Sequence, residues 1–149
     1  MEAKVYYLTS NSSLMQVRTY LRDNSIAFSS RSMLTNPLSK EELFEILRYT
    51  ESGVEDILSV RTSEYHMLTE QGVNLDDLPL TELHKLIERY PRLLRSPILV
   101  ARNTTMVGYN ESEIKFLETR KSKKDSFKEI LNSFHIEDER ELQKLYATV

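Results

Sequence analysis

Cysteine is absent from this chain of 149 residues. Disulfides, thiolate metal sites and thiol catalysis all require cysteine, so the sequence excludes all three. Long apolar runs are absent too, because no stretch approaches the ~18 residues that a membrane-spanning helix needs. The first ten residues have mixed charge and lead directly into a strand pattern, unlike a secretory signal. We therefore expect a cytoplasmic protein.

An excess of basic residues is also lacking. The 20 Lys and Arg are outnumbered by 23 Asp and Glu, which gives a net charge of -3. A protein that binds DNA through its phosphates needs a basic surface, so we expect DNA contact to be weak or indirect. His66, His84 and His135 do not stand at metal-ligand spacing, and we expect neither a metal nor a cofactor.

The first third of the chain has the pattern of a strand, a helix and a second strand. Val5–Leu8 has strand character. A helix with regular apolar spacing follows at once, and Ser12 or Ser13 is expected to cap it. Ile26–Phe28 is predicted as the second short strand.

The middle of the chain is predicted to be helical. Ser39 and Glu42 have the spacing of a capping box and mark the start of a helix. Shorter helical pieces are predicted over Val54–Val60 and Ser63–Leu68. Leu80–Tyr90 has a strong apolar face at helical spacing and is predicted as an amphipathic helix.

A hairpin and a final helix complete the predicted domain. Pro97–Ala101 has the pattern of a buried strand, and Met106–Tyr109 is its predicted hairpin partner. Asn110 and Glu113 then resemble a capping box. A β-α-β unit, a helical insert and a β-β-α unit, in this order, predict a thioredoxin-like or glutaredoxin-like α/β sheet.

We expect one domain over residues 1–120, with a helical insert at about 35–92, and a C-terminal helical extension over 121–149. The extension begins at a basic cluster, which is either a solvated linker or a weak contact to DNA phosphate. Its apolar stripe either folds back onto the domain or docks on a partner. The cluster and the stripe are Arg120, Lys121, Lys123 and Lys124, and then Phe127, Ile130, Leu131 and Phe134.

Three segments carry a resemblance to a known family. PLSKEELFEILRYTESGVEDILSVRT, LPLTELHKLIERYPRLLRSPILV and VGYNESEI are similar, in order and spacing, to the Spx branch of the ArsC (arsenate reductase) family. Gly108–Ile114 is the most specific piece, since reductases usually have an Arg-Pro pair in place of Tyr109 and Asn110. The resemblance implies a thioredoxin-like domain with a helical insert. For Spx-type members it also implies binding to the C-terminal domain of the RNA polymerase α subunit.

The resemblance also implies that a redox site has been lost. The family's cysteine turn, often a C-x-x-C pair, falls here on Asn11, Ser12, Ser13 and Leu14. A serine hydroxyl is almost never ionised at neutral pH without an adjacent base, so it does not replace a thiolate. We expect no catalytic residue at this vestigial redox turn.

An anion site belongs to the same lost chemistry. The family's arginine before the strand proline is Ser96 here, with Arg95 one place earlier and Pro97 expected to be cis. The remaining reductase arginines correspond to Ser59 and Tyr109. The loss of both the nucleophile and the anion-binding groups implies that the reductase chemistry is gone.

A stretch around the end of the Ser39 helix is the predicted partner-binding surface. It offers arginines, an acid and an aromatic side chain around a glycine that lets another backbone approach closely. By resemblance, this neighbourhood contacts the polymerase α C-terminal domain. The residues are Arg48, Tyr49, Glu51, Ser52, Gly53 and Arg61.

Our hypothesis from the sequence is a redox-inactive, Spx-like transcriptional regulator that is not an enzyme. Two alternatives remain open. One is an ArsC-like, glutathione-dependent reductase or transferase that uses Ser12 or Ser13 in place of cysteine, although no base for either serine is evident. The other is a scaffold for a different protein, with the C-terminal extension as its docking element.

Overall fold

The structure is a computed structural model, and it describes residues 2–117. Residues Met1–Ile114 form one compact unit and Lys115–Val149 a second. No helix among the described residues is both long and apolar enough to cross a membrane. The elements are β1 (Ala3–Tyr7), α1 (Ser12–Asp23), β2 (Phe28–Ser32), α2 (Lys40–Arg48), α3 (Val54–Ile57), α4 (Ser63–Glu70), α5 (Leu80–Arg89), β3 (Ile98–Ala101) and β4 (Thr104–Val107), with 3₁₀ turns at Leu75–Asp77, Pro91–Leu93 and Ile114–Leu117.

The strands form one mixed sheet in the order β2-β1-β3-β4. β1 runs parallel to β2 and antiparallel to β3, and β3 and β4 form an antiparallel hairpin. This sheet and its flanking helices confirm the predicted α/β class. The predicted C-terminal extension, including the basic cluster and the apolar stripe, lies outside the described residues, and the domain boundary at residue 120 stays a prediction.

The insert, α2 to α5, covers one face of the sheet. Tyr6 of β1 and Ile98 and Val100 of β3 are buried in one cluster with apolar side chains from every insert helix. Side chains alternate between faces along a strand, so Val5 and Leu99 point to the other face. The buried residues of α1, which are Leu14, Val17 and Leu21, do not belong to the insert cluster, and α1 covers that other face.

An ionic cluster joins the insert to the sheet. Arg31 of β2 donates two hydrogen bonds to Glu42 of α2, at 2.7 and 2.6 Å, and its guanidinium lies over the Tyr6 ring. Burial alone would raise the pKa of Glu42, but hydrogen bonds from Arg31 and Ser39 outweigh it and lower the pKa of this carboxyl to about 2. Burial, reinforced by the charge of Glu42, raises the pKa of Tyr6. Glu42 also completes the capping box with Ser39, which confirms that prediction.

The second strand lies further along the chain than predicted. We expected it at Ile26–Phe28, but it spans Phe28–Ser32 and consists largely of serines. Ile26 instead closes the end of α1, because its N–H donates to the Leu21 carbonyl at 2.8 Å. The strand is at the edge of the sheet and exposes Ser29 and Ser30, so it lacks the apolar pattern that identifies a buried strand.

Two turns also differ from the prediction. Asn11, rather than Ser12 or Ser13, is the N-cap of α1. The β3–β4 turn consists of Arg102 and Asn103, both with positive φ, of 49° and 58°. This two-residue turn is shorter than predicted, and β4 therefore begins at Thr104 instead of Met106.

Candidate functional site

The turn predicted as a vestigial redox site, Asn11–Leu14, is built from the N-cap and first turn of α1. The Oδ1 of Asn11 accepts a hydrogen bond from the Leu14 N–H at 2.8 Å. Leu14 is fully buried, Ser12 is exposed and Ser13 is half-buried. The four residues are therefore used to start a helix. Their origin as a lost redox site stays a prediction.

Ser96 lies beside the end of β1. Its hydroxyl oxygen accepts a hydrogen bond from the Leu8 N–H at 2.9 Å, and the Ser96–Pro97 bond is cis, as the resemblance predicts. Arg95 is exposed, and its Nε donates to the Leu58 carbonyl at 3.0 Å. The groups predicted at a vestigial anion site thus take part in hydrogen bonds within the chain.

A base that could activate Ser12 or Ser13 is not found beside the first turn of α1 in the described part of the chain. Among residues 2–117, neither Ser12 nor Ser13 donates a hydrogen bond to a histidine or a carboxylate. Of the two histidines among the described residues, His84 is the more buried, and its Nε2 lies 2.7 Å from the Leu38 carbonyl in the insert. No group of three or more His, Asp or Glu side chains among residues 2–117 is arranged to hold a metal ion. A serine without a base is a poor nucleophile.

The predicted partner-binding surface begins where α2 ends. Arg48 is exposed, and its guanidinium carbon lies 5.7 Å from the centre of the Tyr49 ring. The Tyr49 carbonyl accepts a hydrogen bond from the Thr105 N–H at 3.4 Å, and the Thr105 hydroxyl donates to the Ile46 carbonyl at 2.8 Å. These bonds join the backbone at the end of α2 to the edge strand β4.

The loop after α2 is ordered by a carboxylate. The Oδ2 of Asp56 accepts hydrogen bonds from the N–H groups of Glu51 and Ser52, at 3.1 and 2.9 Å. Gly53 has a φ of 73° and a ψ of -133°, a conformation that residues with a Cβ rarely adopt. Gly53 is the N-cap of α3. The side chains of Glu51 and Ser52 stay exposed.

Arg61 is attached to a different part of the fold. It is exposed in the loop between α3 and α4, where the Ser59 N–H donates to the Leu93 carbonyl at 2.7 Å. This loop therefore lies beside the segment that leads into β3. Arg48, in contrast, lies at the end of α2, which is joined to β4. A single partner that contacts both arginines stays a prediction.

The positive charges of this surface are available to a partner. Within residues 2–117, ion pairs join Lys4 to Glu45, Arg31 to Glu42 and His84 to Glu88. Neither Arg48 nor Arg61 takes part in an ion pair in that range. Such free guanidinium groups favour a partner that presents carboxylates.

Phe44 is exposed next to the predicted partner-binding surface but was not among the residues predicted for it. Phe44 lies on α2, one turn before Arg48, and 54% of its surface is exposed. In the sequence Phe44 stands directly beside Leu43, so hydrophobicity alone does not distinguish the exposed residue from the buried one. Helical periodicity does place Phe44 off the stripe of Leu43, Ile46 and Leu47, and this was the signal available.

Comparison with known proteins identifies the family. The ArsC family model matches residues 6–117. Global transcriptional regulator Spx 1 of Bacillus cereus is 40% identical over 111 residues, which cover 74% of this chain and 82% of the relative. Global transcriptional regulator Spx of Bacillus subtilis is 38% identical over 117 residues, 78% of this chain and 87% of the relative.

Solved structures show the same fold at low identity. An ArsC family related protein from Bacteroides fragilis has a TM-score of 0.63 and 19% identity, and covers 78% of this chain and 98% of its own. Arsenate reductase from Vibrio cholerae has a TM-score of 0.58 and 22% identity, over 72% of this chain and 90% of its own. These matches confirm the predicted thioredoxin-like fold. The family model and the Spx relatives together show that this chain belongs to the ArsC family.

Proposed function

We propose that this protein is a cytoplasmic transcriptional regulator of the Spx type. It binds the C-terminal domain of the RNA polymerase α subunit and acts without thiol chemistry. Relatives that are named global transcriptional regulator Spx are about 40% identical to it, which supports a regulator rather than an enzyme. The absence of cysteine supports the second part of the proposal.

The observation that carries the proposal is the contrast between two regions of the structure. At the β1–α1 turn, Asn11 and Ser96 are engaged in hydrogen bonds to the backbone of the chain. At the end of α2, Arg48 is exposed and has no ion pair among residues 2–117, although the carbonyl of the neighbouring Tyr49 accepts a long hydrogen bond from the Thr105 N–H of β4, at 3.4 Å. Polar groups thus form hydrogen bonds within the chain at the predicted vestigial site, whereas the Arg48 guanidinium at the surface forms no ion pair among residues 2–117.

Titration calorimetry with the purified α C-terminal domain tests this proposal. We expect the protein to bind more tightly than ~100 µM, an affinity typical of transient regulatory contacts. Arg48→Glu should weaken binding at least about tenfold, because it places a like charge against the partner's carboxylates. Arg22→Glu is the matched control, since Arg22 is an exposed arginine at the end of α1 and should change affinity less than about twofold.

Two results of this experiment are required to support the proposal. Binding of the unmodified protein must exceed that of an unrelated control domain at ~100 µM. Arg48→Glu must also lose more affinity than Arg22→Glu. Equal losses would mean that the partner responds to overall charge, and the surface at the end of α2 would then not be the binding site.

A further inference from the structure

Phe44 stands in the middle of the free face of α2. Leu43 and Ile46 point into the core, whereas Phe44 leaves 54% of its surface exposed. Residues three to four positions apart share a helix face, so Lys40 and Arg48 flank Phe44 on either side. A large exposed aromatic ring between two cations is unusual for a solvated helix face, where polar side chains are the norm.

The charges around Phe44 are not neutralised within residues 2–117. Neither Lys40 nor Arg48 takes part in an ion pair there. Of the acidic residues of α2, Glu42 pairs with Arg31 and Glu45 pairs with Lys4, whereas Glu41 is exposed and forms no ion pair within residues 2–117. The charges of α2 without an ion pair in that range are therefore two cations, Lys40 and Arg48, and one carboxylate, Glu41. The Arg48 guanidinium carbon also lies 5.7 Å from the centre of the Tyr49 ring, within reach of a cation–π contact.

We propose that Phe44, Arg48 and Tyr49, here called the Phe44 patch, are the anchor of a protein interface. The partner fits the Phe44 ring into an apolar pocket and places carboxylates of the pocket rim against Arg48 and Lys40. Buried aromatic rings and arginines carry most of the binding energy in protein interfaces. An apolar centre with a cationic rim is complementary to such a pocket.

A nucleic acid is the other polyanion that this face could attract. An exposed Phe ring gains little from a phosphate backbone, and the chain as a whole carries a net charge of -3. Both observations favour a protein as the partner of the Phe44 patch. The inference rests on the proposed function, and it adds an apolar anchor and a partner chemistry to the same surface.

The test uses the full chain and the α C-terminal domain as the probe, with calorimetry as the readout. Phe44→Ala should weaken binding at least about tenfold, and Phe44→Leu should retain part of the affinity because it keeps an apolar side chain. Met15→Ala is the matched control, since Met15 is 65% exposed and lies on α1, which covers the opposite face of the sheet. It should change affinity less than about twofold. Urea unfolding of each variant should match that of the unmodified protein.

Salt dependence tests the acidic rim. Raising NaCl from about 50 to about 300 mM should weaken binding of the unmodified protein, and should weaken binding of Arg48→Gln less. A duplex DNA fragment serves as a second probe. Binding of DNA that Phe44→Ala leaves unchanged, without binding of the α domain, would overturn the choice of a protein partner.

The outcomes separate this inference from the proposed function. If the α domain binds and Phe44→Ala behaves like Met15→Ala, the proposed function stands and the Phe44 patch is not the anchor. If affinity is independent of salt, the prediction that the partner's pocket has an acidic rim is wrong. If the unmodified protein does not bind the α domain, the proposed function is overturned and this inference with it.

Discussion

The hydroxyl of Ser96 accepts a hydrogen bond from the N–H of Leu8 at 2.9 Å, although the two residues are 88 positions apart in the sequence. The bond joins the end of β1 to the segment that leads into β3. At this position the family resemblance implies an arginine that holds an anion. In this chain the Ser96 hydroxyl instead accepts a hydrogen bond from the Leu8 N–H. Ser96 therefore stabilises the fold by joining β1 to the segment before β3.

Ser96→Ala should therefore destabilise the protein by about 1 kcal/mol, because the partly buried Leu8 N–H would lose its acceptor. Urea unfolding at neutral pH measures this. Ser10→Ala is the control, since Ser10 is exposed in the turn before α1 and should change stability by less than about 0.5 kcal/mol. Equal unfolding midpoints for the two variants would show that the Ser96 bond contributes nothing.

Glu42→Gln should reduce stability by about 1–3 kcal/mol at pH 7, because it keeps the capping geometry but leaves Arg31 without its carboxylate. The pKa of Glu42 is about 2 in the folded protein against an ordinary value of 4.5. A carboxyl with a lowered pKa stabilises the fold above about pH 4.5, and loses this contribution as the pH falls through about 2. The difference between the variant and the unmodified protein should shrink over that range.

Glu41→Gln provides the control for this pH series. Glu41 precedes Glu42 in the first turn of the same helix but is exposed and forms no ion pair within residues 2–117. Its effect on stability should stay within about 0.5 kcal/mol at every pH. A pH-independent effect of Glu42→Gln would mean that the Arg31 contact does not depend on charge.

Gly53→Ala should destabilise the protein by about 1–3 kcal/mol, because an alanine Cβ is strained at a φ of 73° and a ψ of -133°. The cause is backbone conformation, since an added Cβ would meet no atom within 4 Å. Ser52→Ala is the neighbouring control, since the Ser52 side chain is exposed and its bond to Asp56 uses the backbone. Thermal unfolding that is the same for both variants would contradict this explanation.

No arsenate reductase activity is expected. Ser12 and Ser13 have no base within hydrogen-bond distance among residues 2–117, and the chain has no thiol. Arsenate-dependent NADPH oxidation, coupled to glutathione and glutaredoxin, should stay at the buffer rate. Turnover above that rate, abolished by Ser12→Ala or Ser13→Ala, would support the reductase alternative.

Local sequence patterns predicted much of the fold. Ser39 and Glu42 stand three positions apart and signal a helix start by themselves, and the apolar face of α5 is equally local. The strand β2 was misplaced, because an edge strand rich in serine has no apolar alternation to detect. Its position depends on parallel pairing with β1.

The candidate site was less predictable, because its contacts are distant in the sequence. The Leu8–Ser96 bond and the anchoring of Tyr49 by Thr105 join residues that no short motif connects. Helical periodicity places Phe44 off the buried stripe of α2, but only the structure shows how much of its surface is exposed. The family resemblance supplied the location of the predicted partner-binding surface, which composition alone would not have done.

The most direct measurement is the affinity for the α C-terminal domain before and after treatment with diamide, an oxidant of thiols. Our prediction is that the protein binds the domain and that the dissociation constant is the same under both conditions, because the chain contains no cysteine to oxidise. Absence of binding, or binding of similar strength by an Arg48→Glu variant, would contradict it.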